Sequence, residues 1–232
     1  MKQRTGNKKV NRDPFLQRID GIVFGEDPRN GYFQQNVFLH PTLRFRFDYP
    51  SGWKMQNMAD QVVGVSGQQD AIIVLTGAGN AAPSQVLQQF LGQQGIRSGG
   101  VSTASINGLP AATAQFAAQT EQGVVAGYVA FVQLDGTTYR LLAYTPQERA
   151  SAYDGVFRQS LGSFQRLTDA RALSVRPARV RLVRLQNAMT LTQFNQQYPS
   201  TIPIEQLAAI NGLDAATTSL PAGSWVKRVV VE

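Results

Sequence analysis

The sequence predicts an α+β protein: an antiparallel sheet with helices packed on it, followed by a small strand–helix–helix–strand (βααβ) unit. Three observations carry this. Leu43, Phe45, Phe47 and Tyr49 alternate with Arg44, Arg46 and Asp48, the period-two pattern of a half-buried strand. Two stretches, 83–94 and 145–161, instead space their large apolar side chains along one helical face. The last fifty or so residues set two short helical patterns between two strand patterns.

Along the chain, residues 1–13 read as a flexible basic tail, with Lys2, Arg4, Lys8, Lys9 and Arg12. Residues 14–36 are expected to hold a short helix and a connecting segment. Asp13 can cap that helix, Pro14 suits its first turn and Gly21 can end it, while Pro28 and Asn30-Gly31 supply turns. The α+β domain is expected over 37–166. After the aromatic strand, Pro50-Ser51-Gly52-Trp53 turns the chain, and short strands follow at 62–66 and 71–76. The helix at 83–94 gathers Val86, Leu87, Phe90 and Leu91. Strands at 111–118 and 124–134 come next, and Asp135-Gly136 signals a tight hairpin into 138–145. Thr145 and Glu148 have the spacing of a capping box, opening a helix striped by Tyr153, Val156, Phe157 and Leu161.

Residues 167–179 contain Pro177 and few large apolar groups and read as a linker to the terminal unit, 180–232. That unit opens with a strand at 180–185. Thr190 with Gln193 forms a second capping box, Leu191, Phe194 and Tyr198 face inward, and Pro199 stops the helix. Pro203 starts another helix, in which Ile204, Leu207 and Ala208 pack and which Asn211-Gly212 ends. Pro221-Ala222-Gly223 turns into a strand at 225–231.

The 232 residues are 43% hydrophobic and 16% charged, enough for a real core. The net charge of +7 sits at the two ends, with Arg171, Arg176, Arg179, Arg181, Arg184, Lys227 and Arg228 forming the second cluster. Such a stretch can meet acidic polymers, membranes or water; its aromatics, Phe194 and Tyr198, sit at helix-core spacing, so a solvated face is expected and no nucleic-acid partner. The absence of cysteine removes disulfides, thiolate nucleophiles and zinc–thiolate sites. No apolar run is long enough for a transmembrane segment; the longest, 124–134, reads as a buried strand. The N-terminus lacks the apolar stretch of a signal peptide.

Side-chain chemistry is sparse. His40 is the only histidine and precedes Pro41, so it reads as a turn residue; neither an HExxH zinc site nor a serine–histidine triad can be assembled around it. Asp20, Glu26 and Asp27 could act as paired acids only across a cleft, and their glycine- and proline-rich setting reads as a turn. Gly77-Ala78-Gly79-Asn80 lacks the Lys-Ser/Thr ending of a phosphate loop and reads as a strand-to-helix connection. No catalytic residue, metal or cofactor is expected. In the terminal unit the segments 187–190 and 211–214 should approach each other. Asn187, Thr190, Asn211 and Gly212 offer amides and polar atoms there, and Met189 and Leu213 offer apolar flanks that suit sugar faces. The alternative is that Asn211-Gly212 merely caps a helix.

Three resemblances add to this reading. Thr190-Leu191, Phe194, Leu207, Ile210-Asn211-Gly212-Leu213 and Leu220-x-Ala222-Gly223-x-x-Val226 resemble a LysM domain, a module that binds peptidoglycan or chitin-type glycans; its usual Gly-Asp-Thr-Leu opening is here Ala188-Met189-Thr190-Leu191. Phe15-Leu16-x-x-Ile19-Asp20-Gly21-x-Val23-Phe24-Gly25-Glu26-Asp27-Pro28, with Gly31-Tyr32-Phe33 and Phe38-Leu39-His40-Pro41-x-Leu43-x-Phe45, is similar to the segment after the catalytic domain in envelope zinc metallopeptidases of the HtpX and CAAX-prenyl-protease type. Residues 43–53 are also similar to the opening of PsbP-like domains. The resemblances imply a non-catalytic region in the periplasm or cell envelope. Its partners would be peptidoglycan and a metallopeptidase catalytic domain or that enzyme's protein substrates. The alternative is a stand-alone structural or protein-interaction module with a degenerate LysM fold that binds no glycan.

Overall fold

The computed structural model describes residues 18–214 and 216–232. The basic tail and the start of the expected first helix, with Asp13 and Pro14, lie outside the described residues; Arg18 and Ile19 are helical and Asp20 begins a turn. The chain divides into two compact units, one spanning 29–175 and one joining the segment up to Pro28 with 176–232.

The larger unit is α+β and antiparallel throughout. Its strands are β1 (Tyr32–Gln34), β2 (Val37–His40), β3 (Phe45–Asp48), β4 (Lys54–Asn57), β5 (Gln61–Val65) and β6 (Ile72–Gly77). Helix α1 (Pro83–Leu91) leads to the long meander β7 (Ile96–Ile106), β8 (Leu109–Thr120), β9 (Gly123–Leu134) and β10 (Thr137–Pro146). Helix α2 (Ala150–Leu161), β11 (Gln165–Arg166) and the short α3 (Ala170–Leu173) complete it. Seven strands form one sheet in the order β4-β5-β6-β10-β9-β8-β7, and four form a second in the order β1-β2-β3-β11.

Alternation along the strands divides the packing between the two faces of the large sheet. Val129 and Phe131 of β9, with Ala112, Ala114 and Phe116 of β8, meet Leu87 and Phe90 of α1. Ala130, Val132, Tyr139 and Leu141 point the other way, onto Phe157 and Leu161 of α2 and Phe38, Phe45 and Phe47 of the small sheet. The aromatic strand is buried as expected at Phe45, Phe47 and Tyr49, but Leu43 is 43% exposed, because Arg44 takes φ 56° and the strand starts only at Phe45.

Several local expectations hold. Asp135 (φ 50°) and Gly136 (φ 82°) make the tight β9–β10 turn, and α1 buries Leu87 and Phe90 behind an N-terminal proline. The capping box at Thr145–Glu148 does not form. Thr145 still belongs to β10, its hydroxyl donates to Asp70 O at 2.7 Å, and a 3₁₀ turn at Gln147–Arg149 opens α2 without a side-chain cap. Strand β7 was not anticipated, because its outward-facing small residues leave no hydrophobic alternation. The signal that could have found it is Asn107-Gly108, whose φ values of 49° and 78° form a second tight hairpin. Within the segment read as a linker, Asp169 caps α3 by accepting from Arg171 N at 2.7 Å, and Leu167 and Ala172 pack on Leu39.

The terminal unit sets two helices between two strands and adds a short strand pair that was not expected: β12 (Ala178–Arg184), β13 (Met189–Thr190), α4 (Leu191–Gln197), α5 (Ile204–Asn211), β14 (Ser219–Leu220) and β15 (Trp225–Val231). β12 pairs with β15 and β13 with β14, both antiparallel. Leu191, Phe194, Leu207 and Val226 fill its core. The Thr190/Gln193 capping box is present, and Gly212 (φ 68°) ends α5 in the left-handed conformation. The segment before Pro28 extends this unit: Gly21 N donates to Val180 O and Phe24 N to Ala178 O, each at 2.8 Å.

Gly127 marks where β9 and β10 approach too closely for a side chain: a Cβ there would lie 1.9 Å from Ala143 O and 2.8 Å from Tyr144 Cα. Since backbone on both sides would have to move, Gly127→Ala should destabilise the larger unit by about 3 kcal/mol or more. Urea unfolding followed by near-UV dichroism measures it; a loss within about 0.5 kcal/mol, typical of an ordinary surface change, would contradict the close approach.

Candidate functional site

Two places gather polar side chains in a shaped setting. The first lies on the α2-bearing face of the seven-stranded sheet. Helix α2 packs chiefly on β9 and β10, and β8 and β7 continue beyond it. A groove of 460 Å³ follows, lined by Ser102 and Ile106 of β7, Thr113 and Gln115 of β8, Tyr128 of β9, and Arg158 and Leu161 of α2, among others. A smaller groove of 200 Å³ adjoins it on the far side of Tyr128 and includes Asp154.

Asp154 and Arg158 stand one helical turn apart, which puts both on the same side of α2. Arg158 Nε donates to Asp154 Oδ2 at 3.0 Å, the Tyr128 hydroxyl donates to Asp154 Oδ1, and Gln115 Nε2 donates to the Tyr128 oxygen at 3.0 Å. The Arg158 guanidinium lies over the Tyr128 ring, 4.8 Å from its centroid. The hydrogen bond from Tyr128, then that from Arg158, holds the Asp154 carboxyl below its ordinary range. Burial, with Asp154 as its acceptor, pushes the Tyr128 phenol up. The pair is ionised and the phenol neutral at any physiological pH. Sequence reasoning missed this network, because its members come from three separate elements; only the Asp154/Arg158 spacing was visible beforehand.

The second place is the terminal unit. β13 and β14 join the two segments through Met189↔Leu220 and Thr190↔Ser219, and Thr192 N donates to Ala216 O at 3.1 Å. Met189 and Leu213 are half-buried against the same core. Thr190 is committed to its capping box and Gly212 to the helix end. The Asn211 side chain makes three hydrogen bonds within the unit: Nδ2 donates to Leu207 O at 2.8 Å and Lys227 O at 2.9 Å, and Oδ1 accepts from Lys227 N at 2.8 Å. Its amide ties α5 to β15, and both of its N–H donors are used within the fold. Of the two asparagines, Asn187 is the exposed one.

The remaining candidates are structural. His40 Nδ1 accepts from Leu43 N at 3.2 Å and closes the β2–β3 turn. Asp20 Oδ1 accepts from Leu182 N at 2.9 Å. The glycine-rich loop is held by β10, Ala78 N donating to Thr138 O and Thr138 N to Gly79 O. In the basic stretch Arg181 pairs with Glu232, Arg179 donates to Gly21 O, and Arg184 lies over Trp225. Among the described residues no group of three or more His, Asp or Glu side chains could hold a metal ion, and no helix is long and apolar enough to cross a membrane.

No family model and no curated protein sequence matches the chain, so neither the metallopeptidase nor the LysM resemblance is met by a family match. Several solved structures are similar to parts of it. The PsbP protein (CyanoP) of the cyanobacterium Synechocystis is 13% identical, with a TM-score of 0.47 over 59% of this chain and 95% of that one. LpqN of Mycobacterium tuberculosis, described as involved in cell envelope biogenesis, is 15% identical, with a TM-score of 0.39 over 51% of this chain and 78% of that one. A Bacteroides thetaiotaomicron protein is 13% identical, with a TM-score of 0.45 over 86% of this chain and 88% of that one.

Two outcomes follow from the local chemistry. Burial lowers the His40 pKa from 6.5 to about 4, so the folded protein favours the neutral ring. Between those values the unfolded chain binds a proton that the native state does not. His40 therefore contributes fully above pH 6.5, and its contribution is lost as pH falls towards 4, by roughly 3 kcal/mol at most. Denaturant midpoints measured across that window should flatten in His40→Asn, which can still accept the Leu43 amide. Asn211→Ala removes three side-chain hydrogen bonds to backbone groups and should cost the terminal unit about 2–3 kcal/mol, read by hydrogen exchange of the β15 amides.

Proposed function

We propose that this chain is a non-catalytic accessory region acting in the cell envelope. The larger unit makes protein contacts, with a zinc metallopeptidase catalytic domain or its substrates as partners, and the terminal unit associates with peptidoglycan. The observation that carries the reading is the open margin of the large sheet. Strand β7 lies at the sheet's edge and is exposed at nine of its eleven positions, and Val101 is 56% exposed. Edge strands that must stay unpaired usually carry lysine or proline. β7 has neither, its one charge is Arg97, and a bulge between Ser98 and Val101 is its sole guard. Such an edge suits pairing with an extended segment of another protein. The metallopeptidase assignment is supported by the 15–45 sequence motif, and the peptidoglycan assignment by the βααβ order and the paired β13 and β14 between its loops.

Asn211 favours a second reading, in which the terminal unit is a structural or protein-interaction module and binds no glycan. Both of its N–H donors are used inside the fold, so the side-chain donors of any glycan site would come from Asn187 and the rest from the backbone of the two segments. Co-sedimentation with purified peptidoglycan sacculi separates the readings. Retention of the protein, weakened several-fold in Asn187→Ala with unchanged circular dichroism, is the outcome expected if the wall is a partner. No retention of the folded protein would leave only the protein-contact role.

A further inference from the structure

The groove beside α2 has a polarity that the accessory role does not explain, and it lies wholly within the larger unit. Its apolar surface comes from Ile106, the edge of Leu161 and the ring of Tyr128, with the fully buried Ala130 beneath them, and β7 contributes the small residues Gly100 and Ser102. At 460 Å³ it falls within the roughly 300–1,000 Å³ of small-molecule sites. Arg158 is the one charged side chain among its lining residues, and no carboxylate faces it there; Asp154 lines the adjoining groove instead.

Arg158 is also held in place. Asp154 engages Nε, and the Tyr128 ring packs on the guanidinium. Asp154 in turn is fixed by the Tyr128 hydroxyl, which Gln115 supports. The Asp154 bond uses Nε, and the Tyr128 oxygen is a second hydrogen-bonding neighbour that, after Asp154, helps raise the Arg158 pKa; of the five N–H donors of the guanidinium these two partners leave the greater part for a ligand. A planar guanidinium oriented in this way presents donors suited to a carboxylate, with little rotamer entropy left to lose on binding.

We infer that this groove binds a small amphipathic carboxylate. Its head group accepts from the Arg158 Nη amino groups, and its hydrocarbon part lies along Ile106, Leu161 and the Tyr128 ring. A neutral ligand of the same shape gains only the apolar contact; a bare carboxylate gains only the head-group contact, which water competes for strongly. The inference is independent of the envelope reading, since it requires neither peptidoglycan nor a protein partner.

The test is a titration of the full chain with octanoate, 1-octanol and acetate, followed by amide and arginine Nε–H resonances. Octanoate should give saturable shifts at Thr113, Gln115, Leu161, Gly162 and Arg158 Nε–H. Binding of 1-octanol should be about tenfold weaker, and acetate should not saturate. Arg158→Lys, at a largely exposed position, should weaken octanoate about tenfold through loss of the planar donor pair. Ser102→Phe, which fills the groove from exposed β7, should abolish the shifts while the unfolding midpoint is kept. Equal affinity for octanol and octanoate, an unchanged constant in folded Arg158→Lys, or shifts mapping to another face would overturn the inference. So would an extended peptide amide displacing octanoate from the groove at lower concentration than octanoate itself requires.

Discussion

The larger unit depends on one ridge of aromatic side chains. Phe45 and Phe47 of β3, with Tyr49 just beyond its end, are almost fully buried between the two sheets, and each makes a defined contact. Phe45 stacks on Phe164 with centroids 5.2 Å apart and lies 5.0 Å from Tyr139, while Phe47 meets Tyr49 edge-on at 4.8 Å. Tyr49 is the most constrained. Its hydroxyl donates to Val62 O at 2.8 Å, its ring covers Gly64 so closely that a Cβ there would lie 2.4 Å away, and burial pushes its phenol pKa up. Aromatic burial of this kind supplies large apolar area, and the hydroxyl needs its one partner to avoid a desolvation cost.

The ridge also sets where α2 sits. Phe164 follows the helix directly, and Ser160 Oγ donates to Asp48 O at 2.6 Å while Asp48 N donates to Ser163 Oγ at 2.8 Å. At the other end Asp70 accepts from Ser66 Oγ at 2.8 Å, Tyr153 Oη at 2.5 Å and Arg149 Nε at 3.2 Å, bonds that lower its pKa, with Tyr153 the largest cause. With both ends fixed, the helix places Asp154 and Arg158 over Tyr128. The polar network at the groove is therefore a consequence of core packing some distance away.

The two units use polar groups differently. In the terminal unit nearly every candidate binding group is consumed by the fold: Asn211 links α5 to β15, Thr190 caps α4 and the arginines pair locally. In the larger unit Arg158 is engaged by Asp154 at Nε and lies against Tyr128, and these two partners leave donors of the guanidinium over. An exposed edge strand and an oriented guanidinium are the features left over once folding has been satisfied, and such features carry recognition.

The sequence by itself determined the local grammar. The alternation through Phe45, Phe47 and Tyr49 placed a half-buried strand, Asp135-Gly136 placed a hairpin, and Thr190 with Gln193 placed a helix start, because each depends on neighbours within a few residues. It could not place β7, whose small exposed side chains carry no periodic signal, or the four-residue α3, too short for helical spacing to register. It suggested a cap at Thr145 that the fold spent elsewhere, since the sheet claimed that residue and Asp70 claimed its hydroxyl. Only the tertiary structure decided that α1 and α2 cover opposite faces, that a second sheet closes the core, and that Gln115, Tyr128 and Arg158 share one groove. Those outcomes follow from strand register across long stretches of chain, where shifting a pairing by one residue moves every side chain to the other face.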